Sequence, residues 1–128
     1  IMNLFKKLKN RTILLIDDDE WIRDAMTIFF EGEECYLLAF ETAEEGLNAI
    51  NTSVFDIIIV DYMLPGITGL EFFKRIQKTC NNAIRILITA YGTDEVLFTA
   101  KQLGVHDVIE KPFNTENIEA SLSLFIKD

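Results

Sequence analysis

The sequence is short of the residues that build metal clusters and disulfide frameworks. It has one histidine, His106, and two cysteines, Cys35 and Cys80. The cysteines have no CxxC spacing and each sits beside apolar residues. They read as buried free thiols in a reducing cytoplasm, not as a redox motif or a cross-link. His106 lies in no ligand spacing and reads as a loop or surface histidine. Long apolar runs are also missing. The runs present have strand length, so no segment is suited to span a membrane. The basic start is not followed by the apolar stretch of a signal peptide. Neither an internal repeat nor a low-complexity linker is found. Basic residues are scarce beyond the first few positions. Lys6, Lys7, Lys9 and Arg11 precede Thr12, which leaves 8 basic against 21 acidic residues in the rest, a net charge of −13. A body that acidic repels a phosphate backbone, which argues against direct nucleic-acid binding, and it attracts divalent cations.

What is present fits one compact domain. The chain has 128 residues, 49% of them apolar, enough for a core at this size. Residues 1–11 read as a basic leader or linker remnant, and 12–128 as the domain. Short apolar runs alternate with amphipathic stretches. The runs are Ile13–Ile16, Tyr36–Phe40, Ile57–Val60, Ile84–Ile88 and Val108–Ile109. The first, third and fourth are rich in Ile and Val with little alternation, as in strands covered on both faces. Helical spacing follows each run. It is carried by Ile22, Ala25, Met26 and Phe29, by Ala43, Leu47 and Ile50, by Leu70, Phe73, Ile76 and Cys80, by Val96, Ala100 and Leu103, and by Ile118, Leu122 and Phe125. Thr42 with Glu45 forms a capping box. Five βα units in a row predict an α/β fold: one doubly wound, five-stranded parallel sheet with helices on both faces.

In such sheets chemistry sits at the carboxyl ends of the strands. The first run ends in Asp17-Asp18-Asp19-Glu20, the third in Asp61, the fourth in Thr89 and the fifth in Glu110-Lys111-Pro112. If these four strands are neighbours, the order is 2-1-3-4-5 and their polar ends share one rim. Asp17, Asp18 and Asp61 would then be crowded carboxylates whose repulsion calls for a cation. Oxygen ligands of this kind suit Mg²⁺. A carboxylate can also act as a nucleophile and form an acyl phosphate. A lysine and a threonine hydroxyl, here Lys111 and Thr89, would neutralise and hydrogen-bond its oxygens. Taken singly these residues have ordinary readings. Asp19 and Glu20 suit a helix N-terminus, Asp61 a turn before Pro65-Gly66, Thr89 a strand and Lys111 a solvated surface. Their joint placement on four strand ends favours the chemical one.

The segments Leu14-Leu15-Ile16-Asp17-Asp18, Asp61-Tyr62-Met63-Leu64-Pro65-Gly66 with Gly69, Ile88-Thr89-Ala90 and Lys111-Pro112-Phe113 resemble the receiver domains of bacterial two-component systems. The resemblance runs from about Thr12 onward. It implies a flavodoxin-like fold and a cytoplasmic phospho-accepting role. Asp61 would take a phosphoryl group from a sensor histidine kinase or a phosphotransfer protein. Asp18, Asp61 and the backbone carbonyl of Met63 would hold Mg²⁺, with Asp17 helping through water. Thr89 and Lys111 would bind the phosphoryl group, and the Lys111–Pro112 peptide would be cis. Beyond its own phosphorylation and slow dephosphorylation, the domain would not be an enzyme. Met63 and Tyr91 stand where the family tunes attack of water on the acyl phosphate. The family also suggests homodimerisation through the fourth helix, fifth strand and fifth helix, where Leu97 or Phe98 and Leu124 or Ile126 exceed one buried stripe. One position departs from the pattern. Val108 stands where the family carries an aromatic residue that swings inward on activation, and valine cannot make that swing.

Two rival readings differ in mechanism. A haloacid-dehalogenase-type phosphohydrolase would use Asp17 as nucleophile, but it leaves the Asp61-to-Gly69 motif unexplained. A pseudo-receiver would keep the fold and lose phosphorylation, with Val108 as its only support.

Overall fold

The computed structural model describes residues 3–127. Five strands alternate with helices along the chain. They are β1 (Thr12–Ile16), β2 (Tyr36–Phe40), β3 (Ile57–Asp61), β4 (Ile84–Thr89) and β5 (Asp107–Glu110). The helices are α1 (Leu4–Leu8), α2 (Glu20–Gly32), α3 (Ala43–Thr52), α4 (Gly69–Ile76), α5 (Asp94–Gln102) and α6 (Thr115–Phe125). All strand pairs are parallel and the order is β2-β1-β3-β4-β5, as the strand-end argument required. The helices expected from the sequence are α2 to α6. Among the described residues no helix is long and apolar enough to cross a membrane.

Alternation along the central strands divides the core in two. Leu14, Ile16, Ile58, Val60 and Leu87 face Ala43, Phe72, Phe73, Val96 and Ala100 of α3, α4 and α5. Ile13, Leu15, Ile57, Ile59, Ile86 and Ile88 face Met26, Phe30, Ile118 and Leu122 of α2 and α6. Both faces of β3 are covered and every residue in it is buried, so its sequence runs Ile-Ile-Ile-Val without polar alternation.

Each helix that leaves the carboxyl rim of the sheet starts on a side-chain cap, which satisfies an otherwise orphaned N–H and stabilises by about 1 kcal/mol. Asp19 accepts from the Trp21 N–H, Thr68 from Glu71 and Thr93 from Val96. Thr42 with Glu45, and Asn114 with Asn117, form reciprocal boxes. Asp19 and Glu20 are thus a cap and a first-turn acid.

Two elements differ from the sequence reading. The basic segment ahead of β1 contains α1, whose Leu8 is fully buried against the α2/α6 side of the core. Arg11 ties it down by donating to the carbonyls of Lys7 at 2.8 Å and Lys127 at 3.0 Å. The helix expected to reach Cys80 ends as α4 at Ile76, where i→i−3 bonds from the Gln77 N–H to the Lys74 carbonyl and from the Thr79 N–H to the Ile76 carbonyl tighten the last turn. Cys35 is buried and Cys80 half-buried, both as free thiols. His106 is exposed, as expected, at the opposite end of the sheet from the acidic rim. Its Nδ1 accepts the Arg85 N–H at 3.0 Å, and its ring meets Phe125 edge-on.

Candidate functional site

Register brings the carboxyl ends of the strands together. Ile16 pairs with Val60, so Asp17, one residue on, lies beside Asp61. Asp61 pairs with Ile88, Ile88 with Ile109 and Thr89 with Glu110, so Lys111 follows directly on the same rim. The Lys111 N–H donates to the Thr89 carbonyl at 2.9 Å, and the next peptide, Lys111–Pro112, is cis as expected. Lys111 Nζ reaches Asp61 Oδ1 at 3.1 Å and Asp17 Oδ2 at 3.4 Å. One carboxylate oxygen from each of Asp17, Asp18 and Asp61 falls within 4.8 Å of the others. Asp17 is wholly buried and Asp61 is 3% exposed, while Asp18 opens to solvent.

Burial makes this an expensive place for negative charge. Desolvation raises the Asp17 pKa to about 6, and the neighbouring Asp61 pushes the same way. The Asp19 N–H and Lys111 oppose it. Asp61 is raised as well, first by burial and then by Asp18, with Lys111 pulling it down. Burial would lower Lys111, but the two carboxylates outweigh it and the net shift is upward. Asp17 Oδ2 makes no hydrogen bond. One lysine therefore faces three carboxylates, and a buried oxygen with unused lone pairs points into the cluster. That donor set fits a hard divalent cation such as Mg²⁺. Asp17, Asp18 and Asp61 would hold it.

Thr89 is fully buried and its Oγ1 accepts the Tyr91 N–H at 2.9 Å. The hydroxyl hydrogen remains available as a donor. Met63, two residues past Asp61, and Tyr91, two past Thr89, are 58% and 62% exposed beside the rim. Val108 is half-buried against the α3/α4/α5 core. Leu97, Phe98 and Leu124 are exposed, whereas Ile126 is buried. Beside Lys111 lies an apolar cavity of about 560 Å³ between α2 and the segment 112–115, lined in part by Trp21, Ile22, Met26 and Phe113.

Two supporting residues escaped the sequence reading of the site. Arg23 donates to the Asp17 carbonyl at 2.8 Å and so fixes the backbone of the acidic turn. Its signal was weak, since an arginine on a helix reads as solvated. In the sequence Gly69 stands out only as part of a motif. A Cβ there would press into the Asp61 carbonyl oxygen and against Leu87. The start of α4 can approach the end of β3 only because that position has no side chain.

A family model described as "Response regulator receiver domain" matches residues 13–123. The uncharacterized transcriptional regulatory protein YkoG of Bacillus subtilis (strain 168) is 31% identical over 110 residues, 86% of this chain and 48% of that protein. The regulatory protein VanR of Enterococcus faecium is 34% identical over 101 residues, 79% of this chain and 43% of that protein. The chain thus spans about half the length of these relatives. Sporulation initiation phosphotransferase F of Bacillus subtilis is matched over 96% of its length at 26% identity, covering 93% of this chain. Among solved structures, a CheY-like receiver domain from Methanospirillum hungatei JF-1 superposes with a TM-score of 0.86 at 27% identity, covering 91% of this chain and 93% of that one. The BeF3-activated DrrB receiver domain gives 0.81 at 28%, with 91% and 97% covered. The rim of crowded carboxylates, the lysine beside them and these matches agree, and the chain belongs to the response-regulator receiver domain family.

Proposed function

We propose that this chain is a phospho-accepting switch in which Asp61 takes a phosphoryl group in an Mg²⁺-dependent reaction. The observation that carries the reading is the pairing of a nearly buried Asp61 with Lys111 at 3.1 Å inside a three-carboxylate cluster. Bound Mg²⁺ would supply charge neutralisation for the carboxylates and the phosphoryl oxygens.

The chain's own groups then divide the work. An Asp61 carboxylate oxygen attacks phosphorus of a phosphorylated donor. For a phosphohistidine the P–N bond breaks as the O–P bond of the acyl phosphate forms, and the imidazole nitrogen keeps the electron pair. Lys111, already within reach of Asp61, pairs with the phosphoryl group. Thr89 keeps its acceptor bond from Tyr91 and donates its hydroxyl hydrogen to a phosphoryl oxygen. Arg23 and the Asp19 N–H hold Asp17 in place. The donor is a sensor histidine kinase or a phosphotransfer protein, and it meets the site on the side of the apolar cavity beside Lys111. Beyond this self-directed chemistry the domain is not an enzyme, and it acts in the cytoplasm. Exposed Leu97, Phe98 and Leu124 on α5 and α6 form a phosphorylation-dependent homodimer face with β5 between them. With valine at position 108, an aromatic swing is not the coupling device.

Beryllofluoride, a stable mimic of the aspartyl phosphate, tests the site. With Mg²⁺ it should shift the amides around Asp61, Thr89 and Lys111, and Asp61→Asn should abolish the response. An undiminished response in Asp61→Asn would remove the assignment.

A further inference from the structure

We infer that the outer edge of β2 is a self-association surface, on which a second copy of this chain pairs through its own β2 in antiparallel register. The inference is independent of phosphorylation. The two edges of the sheet differ. β5 is four residues long and carries Asp107 and Glu110. Asp107 Oδ1 turns back to accept the Val108 N–H at 2.9 Å, which occupies a backbone donor that an incoming strand would need. Short length, charge and a blocked donor are what protect an edge from pairing.

β2 has none of these. Cys35 to Phe40 is a run of six uncharged residues without proline. The Tyr36 N–H donates to the Arg11 carbonyl, and the Phe40 carbonyl accepts the Asp17 N–H. The backbone groups of residues 36, 38 and 40 therefore address β1. By alternation the N–H and C=O of Leu37 and Ala39 point out of the sheet. β2 is the first strand in the sheet order, so among the described residues no strand lies beyond it. On one face of this edge Tyr36 is 63% and Leu38 46% exposed. An edge that is apolar and has unused backbone donors and acceptors is a template for another strand.

The segment is its own complement. A two-fold axis at Leu38 sets Leu37 opposite the partner's Ala39 and Ala39 opposite the partner's Leu37. Each pair exchanges both of its outward N–H···O=C bonds. Leu38 then meets its own copy, and Tyr36 lies opposite the partner's Phe40, in one apolar strip across the joint. Glu34 and Glu41 flank the run, and in this register they approach the partner's acids. With a net charge of −9 on each chain, association is weak and reversible, and it tightens with salt.

Sedimentation of the full chain from micromolar to millimolar concentration, at low and high salt, tests this. A dimer should form with concentration and strengthen with salt. Amide exchange at Leu37 and Ala39 should slow as it forms. Leu38→Lys sets two like charges face to face and should weaken the dimer by about tenfold or more. Tyr36→Lys should weaken it too, and Leu124→Asp on the opposite side of the molecule should not. Both lysines replace exposed side chains, and an unchanged melting temperature confirms the fold. A monomer at millimolar concentration in high salt overturns the inference. So does a dimer that survives both lysine variants, or one that is lost in Leu124→Asp.

Discussion

Removing the buried charge at Asp17 should make the metal-free protein more stable. Asp17 has no exposure, its pKa is raised from 3.8 to about 6, and the main cause is burial. A carboxyl with a higher pKa in the folded than in the unfolded state holds its proton better when folded. Its contribution is therefore most favourable at low pH, and stability is lost as pH rises from about 4 through about 6. The raised Asp61 acts in the same direction. For Asp17 the shift corresponds to about 3 kcal/mol at neutral pH. In Asp17→Asn the Oδ1 acceptor for the Asp19 N–H is kept, and Lys111 retains Asp61. The lost ion pair with Lys111 offsets part of the gain. A net stabilisation of about 1–3 kcal/mol at pH 7 follows, which in a domain of this size raises the melting temperature by roughly 4–12 °C. The assay is thermal unfolding in chelator across pH 4 to 8, for the wild type and for Asp17→Asn. The wild type should lose stability across that window and the variant should lose less. A variant that melts lower at pH 7, or one with an undiminished pH slope, refutes the account of the cluster.

Three further outcomes follow from the same geometry. Millimolar Mg²⁺ should raise the wild-type melting temperature at low salt, because a cation that binds only the folded state adds stability. This reaches about 2.7 kcal/mol at a hundredfold excess over Kd. Asp18→Ala should erase most of that response in the same melts. Gly69→Ala should destabilise by about 1–3 kcal/mol in denaturant titrations, because its Cβ meets the Asp61 carbonyl and Leu87. Exposed Met63 and Tyr91 lie beside the rim without offering a base at position 63. They should shield an acyl phosphate from water, so that Met63→Asn speeds its loss in a phosphate-release time course.

Much of this molecule was legible in the sequence, and for identifiable reasons. Ile57–Val60 is buried on both faces, so hydrophobicity alone marked it as a central parallel strand. Once such strands were placed side by side, the polar residues ending them had to share a rim, and Asp17, Asp61 and Lys111 do. Thr42 with Glu45 announced α3 through local chemistry that needs no tertiary context. Features that depend on tertiary contacts were not legible. α1 is five residues long, too short to show periodicity, and it is held by Leu8 burial and by the reach of Arg11 to Lys127. The end of α4 is a local matter instead: the last turn tightens to i→i−3 bonds at Gln77 and Thr79, which the apolar spacing that continues to Cys80 does not reveal. The importance of Gly69 lies in what a side chain would strike across the fold, and Arg23 acts through a backbone carbonyl rather than a charge partner.

The central claim is that Asp61 carries the phosphoryl group, and the most direct test is to locate the acyl phosphate chemically. The full chain would be treated with acetyl phosphate and Mg²⁺, trapped by borohydride reduction of the aspartyl phosphate, digested and sequenced by mass spectrometry. The reduced residue should be Asp61 alone, dependent on metal and missing in Asp61→Asn. Reduction at Asp17 would instead point to a phosphohydrolase-type nucleophile. No metal-dependent modification at any aspartate, with the fold intact, would mean that the rim is not a phospho-accepting site.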